Sequence, residues 1–150
     1  MHNFKKLGHW LGKFTTRAHV RLLEVGCGHG WFLEAVSSRF DVMGLEPDAL
    51  VANRCQAQGL SVVQGFFPEA LPINAKFDVL IFNDVLEHIP GVGAALQACD
   101  TALNAGGILV INIPSSRGVF YRAAKLAAKI GLPSVAMGVG GVLQGRLLGG

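Results

Sequence analysis

Three groups of residues have the types and the spacing to do chemistry. The first lies in LLEVGCGHGW, residues 22–31, where Gly26, Gly28 and Gly30 alternate with Cys27 and His29 directly behind an apolar run that carries Glu24. Glycine has no Cβ and tolerates positive φ, so such a loop lets a ligand reach backbone N–H groups at the start of the next helix. A plain tight turn is the other use of the same composition. The second is Glu46 in VMGLEPD, 41–48 being DVMGLEPD. A carboxylate there can accept from two adjacent hydroxyls, each charge-assisted bond worth about 1.5–3 kcal/mol. It can equally be a solvated carboxylate ahead of a helix start. The third is FDVLIFNDVLEHIP, residues 77–90, in which Asn83, Asp84, Glu87 and His88 follow an apolar run. His88 suits a general base, or it satisfies loop backbone.

These groups need elements to hold them, and the chain alternates strand with helix. Short apolar runs at 20–25, 41–46, 61–64, 77–82 and 108–113 read as five strands. Helical spacing of Phe32, Leu33, Val36 and Phe40 predicts a helix over 31–39. Asp48 can cap a helix across 49–58 that Gly59 ends, and another spans about 92–104 before Gly106-Gly107. A last helix is expected over about 118–130, with Arg122, Lys125 and Lys129 on one face. Near-continuous apolar strands between helices predict an α/β protein whose parallel sheet is covered on both faces. Right-handed crossovers then favour a Rossmann-like, doubly wound, mainly parallel sheet of order 3-2-1-4-5 with its ligand crevice between strands 1 and 4. In such a sheet the end of strand 2, where Glu46 lies, faces the ribose of a bound nucleoside. The glycines do not make a dinucleotide fingerprint: its third glycine would fall on Trp31. Trp31 and Phe32 read first as packing and pocket wall.

Composition bounds the rest. The chain has 150 residues, 51% hydrophobic and 15% charged, enough for one buried core. Its formal net charge of +3 is too small and scattered to argue for nucleic acid. Lys5, Lys6, Lys13 and Arg17 read as a solvated face of an N-terminal helix. Three cysteines, Cys27, Cys55 and Cys99, form no Cys-x-x-Cys, so neither a disulfide framework nor a zinc site is indicated. Cys27 reads as small packing, with no base near it in sequence. No apolar run reaches the ~18 residues of a membrane span, and no signal peptide is evident. A cytoplasmic setting fits. The domain is expected over 1–130, with a glycine-rich, poorly ordered tail over 131–150. No sixth strand is expected, which leaves strand 5 with an open apolar edge. Either late strands are missing from a shortened chain, or a second copy pairs with that edge in a homo-oligomer.

The stretches LLEVGCGHGWFLEAV, VMGLEPD, FDVLIFNDVLEHIP and LNAGGILVINIPS together resemble the class I S-adenosylmethionine-dependent methyltransferases, in the subgroup of ubiquinone-biosynthesis-type and other small-molecule enzymes. The resemblance runs in order over about residues 20–130. It implies S-adenosyl-L-methionine as cofactor and methyl transfer to an O, N or C nucleophile of a small molecule. By it, Gly26, Cys27, Gly28 and Gly30 line the methionine part and ribose, and Glu24 holds the loop and the amino-acid end. Glu46 takes the ribose hydroxyls, with Pro47 beside the adenine. The family's usual acid after strand 3 is replaced here by Gly65-Phe66-Phe67, so Phe66 would offer a backbone bond or an apolar wall. Asn83 and Asp84 would lie near the cofactor, and His88 would be the catalytic base. Asp84, Glu87 and His88 also resemble a metal cluster of some relatives. That cluster uses a further histidine downstream, and none follows His88, so no metal is expected. Two other readings stand beside this one: a non-catalytic cofactor-binding or partner-binding remnant, and a nicotinamide-dependent oxidoreductase.

Overall fold

Leu22, Leu23 and Val25 of Arg21–Val25 (β1) are buried, and the strand runs parallel to Asp41–Glu46 (β2) with Glu24 opposite Gly44 and Val25 opposite Leu45. This pairing belongs to the first of two compact units, Met1–Ile73 and Asn74–Gly150, in a computed structural model of the chain. The structure describes residues 2–14, 18–113, 129, 134–139 and 142–148. The strands lie in the order Val62–Gln64 (β3), β2, β1, Phe77–Asn83 (β4), Leu103–Ile113 (β5), Ser134–Val139 (β6) and Val142–Leu148 (β7), which contains the expected 3-2-1-4-5.

In the first unit, helix His2–Phe14 (α1) buries Leu11 and packs on Trp31–Val36 (α2), whose Phe32, Leu33 and Val36 are buried. The helix predicted over 31–39 thus stops three residues early, in a turn. Helix Ala49–Ala57 (α3) starts as its sequence requires: the Asp48 carboxylate accepts from Leu50 N at 2.8 Å and Val51 N at 3.1 Å. Gly59 follows it with φ 84°, a conformation that favours glycine. Val62–Gln64 (β3) then pairs parallel with β2, Glu46 opposite Gln64.

In the second unit, Phe77–Asn83 (β4) and Leu103–Ile113 (β5) pair in parallel, Asn83 opposite Asn112. Val79 through Phe82 and Ile108 through Ile111 are buried, each such side chain contributing about 1.5–3 kcal/mol. The helix predicted over 92–104 is Val92–Ala102 (α4), and β5 begins directly at Leu103, five residues before the predicted 108. The early start is accommodated by a register shift between Phe77 and Val79, with Gly106 at φ 76°.

The expectation that late strands are missing is corrected. Ser134–Val139 (β6) pairs parallel with β5, and Val142–Leu148 (β7) runs antiparallel to β6. Backbone pairing needs no side chain, so Gly138 and Gly145 take ladder positions that a hydrophobic pattern does not reveal. The edge of β5 proposed for self-association is therefore occupied by the chain's own β6. The helix expected over 118–130 lies outside the described residues except for Lys129, which is helical.

Gly44 on β2 ties this packing to the loop after β1. A Cβ there would lie 2.6 Å from Cys27 Sγ and 2.8 Å from Leu33 Cδ1. Gly44→Ala is expected to destabilise the protein by about 1–3 kcal/mol through overpacking, read as a lower urea midpoint at unchanged slope.

Candidate functional site

The loop after β1 is built on positive φ: Gly26 at 68°, Gly28 at 52° and Gly30 at 74°. Cys27 N donates to Leu45 O at 2.9 Å, and Gly30 N to Cys27 O at 2.9 Å, so the turn is tied to β2 and to itself. Gly30 precedes α2 as its left-handed cap residue. At Gly28 a Cβ would meet nothing within 4 Å, so its exposed side is open to an approaching ligand.

Glu46 faces this loop. Its Oε2 accepts from Gly28 N at 2.8 Å and its Oε1 from Asp48 N at 3.0 Å. One carboxylate thus joins the glycine loop to the start of α3. Each oxygen has a further lone pair, so the arrangement can still receive hydroxyl donors. Glu24 is 3% exposed on β1. Cys27 is buried, and its thiol is pushed up to about 12 by burial first, then by Glu24, Cys55 and Glu46. It stays protonated at neutral pH, as its reading as packing requires. Pro47 is half-buried, and its carbonyl accepts from Gln64 Nε2 at 3.4 Å. Phe66 is 70% exposed, while its carbonyl accepts from Ala70 N at 2.8 Å. Phe66 thus presents an exposed ring. The rings of His29 and Trp31 lie against each other at a tilt of 33°, centroids 5.2 Å apart. The first unit therefore brings together Glu24, Gly26, Cys27, Gly28, Gly30, Glu46, Pro47 and Phe66.

The second unit gathers Asn83, Asp84 and His88. Asn83 ends β4, and Asp84 follows at φ 55° with its N–H donating to Asn112 O at 2.9 Å. That bond prolongs the β4–β5 pairing one residue past the strand and turns the chain into a 3-10 turn at Leu86–His88. Buried Leu86 anchors the turn. The His88 side chain is 78% exposed, and its Nε2 lies 4.0 Å from Glu87 Oε1. Glu87 is the more enclosed, at 19%. Its Oε2 and Asn112 Oδ1 are buried and have no hydrogen-bond partner among the described residues. Among those residues no group of three His, Cys, Asp or Glu side chains could hold a metal ion.

Comparison with known proteins decides the family. Residues 2–146 match the family model described as a methyltransferase domain. The chain is a member of the methyltransferase domain family. Its fold agrees: a TehB-like SAM-dependent methyltransferase from Corynebacterium glutamicum superposes with TM-score 0.71 over 86% of this chain and 72% of that one, at 23% identity. SAM-bound CalS10, an amino pentose methyltransferase from Micromonospora echinaspora, gives TM-score 0.68 over 78% of this chain and 52% of that one, also at 23% identity. The ubiquinone biosynthesis O-methyltransferase of Psychrobacter arcticus is 30% identical over 122 residues, 75% of this chain and 48% of that enzyme. The chain thus spans about half the length, or less, of the curated relatives it matches.

Two polar groups of this methyltransferase domain were outside the sequence-predicted site. Asn112 carried a faint signal, as the one polar residue inside ILVINI. Glu87 stands in the sequence beside Asp84 and His88, where it reads as part of a metal-cluster resemblance and not as a site residue. Asp84 is displaced from the ordinary carboxylate value: burial pushes it up, and Glu87 adds to the effect. Its charged form is thereby penalised in the folded protein. Stability is lost as pH rises from the unfolded value, about 3.9, through the higher folded one. Glu87→Gln removes the second cause. In the variant the Asp84 carboxyl is expected to titrate at lower pH than in the wild type, with a smaller acid-range stability loss. A carbon-detected NMR titration of the Asp84 carboxyl checks this, and an unmoved midpoint would refute it.

Proposed function

We propose that this domain binds S-adenosyl-L-methionine on the loop Gly26–Gly30 and transfers its methyl group to an O, N or C nucleophile of a small molecule. Family membership supports the reaction class. The observation that carries the binding reading is Glu46, whose carboxylate fixes Gly28 N–H at 2.8 Å beside open space. The cofactor supplies an electrophilic methyl group on a sulfonium centre. The chain's own residues do the rest. Glu46 takes the two ribose hydroxyls on its remaining lone pairs. Gly26, Cys27, Gly28 and Gly30 present backbone to the methionine part, and Glu24 braces the loop from β1. The Phe66 ring and Pro47 flank the adenine in place of the acid that many relatives carry.

Methyl transfer depends on proximity and in-line alignment. Asn83 and Asp84 orient the reacting groups at the end of β4. His88, exposed on its turn, accepts the acceptor's proton where the nucleophile carries one. Small-molecule acceptors are supported by the names of similar proteins: the Psychrobacter arcticus protein is named an O-methyltransferase, and CalS10 an amino pentose methyltransferase. The described residues include no helix long and apolar enough to cross a membrane, and the three cysteines are free. We place the domain in the cytoplasm, a reducing setting in which free thiols such as these persist.

Calorimetric titration with S-adenosylhomocysteine tests the binding reading. Micromolar affinity is expected, weakened at least about tenfold, or about 1.4 kcal/mol, by Glu46→Ala. A folded protein that does not bind would refute it.

A further inference from the structure

Gly28 has no side chain, and nothing lies within 4 Å of where its Cβ would be. Side-chain packing therefore cannot fix it, and its position depends on its two backbone polar groups. The N–H goes to Glu46. The carbonyl accepts from the Cys55 thiol on α3, with Sγ at 3.3 Å, and more distantly from Cys27 Sγ at 3.9 Å. Cys55 also stands against the loop at a second point: a Cβ on Gly30 would lie 3.3 Å from its Sγ.

We propose that Cys55 is a positioning residue for the cofactor loop, acting through the Gly28 carbonyl; this rests on the reading that the loop holds S-adenosylmethionine. The connections close a ring. Glu46 holds Gly28 N and Asp48 N, the Asp48 carboxylate caps α3, and α3 returns a thiol to Gly28 O. Each backbone group of Gly28 is thus referred to the same short segment, β2 through α3. Cys55 is almost wholly buried, and burial pushes its thiol up, with Glu46 adding to it, so the S–H donor persists at neutral pH. The thiol is a weak donor, but a glycine with no packing of its own has little else to hold its carbonyl.

A role in filling space and a role as donor give different variants. Cys55→Val keeps a small apolar side chain and removes the donor; Cys55→Ser keeps a donor. The proposal expects Cys55→Val to weaken S-adenosylhomocysteine by about threefold to fivefold, and Cys55→Ser to stay within about twofold of the wild type. It also expects the Gly28 carbonyl 13C resonance of the ligand-free protein to move in Cys55→Val and to be held closer to the wild type in Cys55→Ser. Folding of both is verified by their dispersed amide spectra. Equal affinity and equal carbonyl shifts in the two variants would overturn the proposal. If the wild type binds no S-adenosylhomocysteine but the carbonyl still moves only in Cys55→Val, the cofactor reading fails and the contact to Gly28 stands.

Discussion

The carboxylate of Glu46 is the constraint on which the first unit's site depends. A loop with three left-handed glycines gains backbone freedom and loses the side-chain contacts that would limit it. A charge-assisted bond to Gly28 N–H removes part of that freedom, and is worth about 1.5–3 kcal/mol. Because the other oxygen holds Asp48 N–H, the loop geometry and the start of α3 are set together. The loop is therefore shaped before any ligand arrives, which lowers the ordering cost that binding must meet.

The residues that follow β4 in the second unit obey a different logic. There the chain leaves β4 through a left-handed Asp84, pinned by Asn112 O, and the following turn is anchored by Leu86. Burial disfavours the charge of Asp84 there, and Glu87 beside it adds to the effect. The exposed His88 and the enclosed Glu87 on one short turn divide solvent access between them.

Much of this was legible in the sequence, for local reasons. Asp48 caps α3 because its side-chain oxygen, one residue before the helix start, meets unsatisfied N–H groups at Leu50 and Val51. The glycine loop and Glu46 could be read together because a doubly wound sheet brings successive strand ends to one side. What stayed hidden depends on distance or on backbone. Cys55 lies 27 residues from Gly28, and no pattern announces a thiol aimed at a carbonyl. The strands β6 and β7 carry glycines within SVAMGV and VLQGRLL, so their pairing is written in the backbone more than in apolar alternation. The fifth strand begins earlier than expected because Gly106 and Gly107, which read as a helix end, lie inside β5.

Native-state amide hydrogen exchange at Gly28, in the ligand-free protein and in Glu46→Ala, tests the central claim most directly. The account predicts that the Gly28 amide is protected in the wild type and exchanges at least about tenfold faster in the variant, as loss of one charge-assisted bond requires. A Gly28 amide that already exchanges at the rate of an unprotected glycine in the wild type would contradict it.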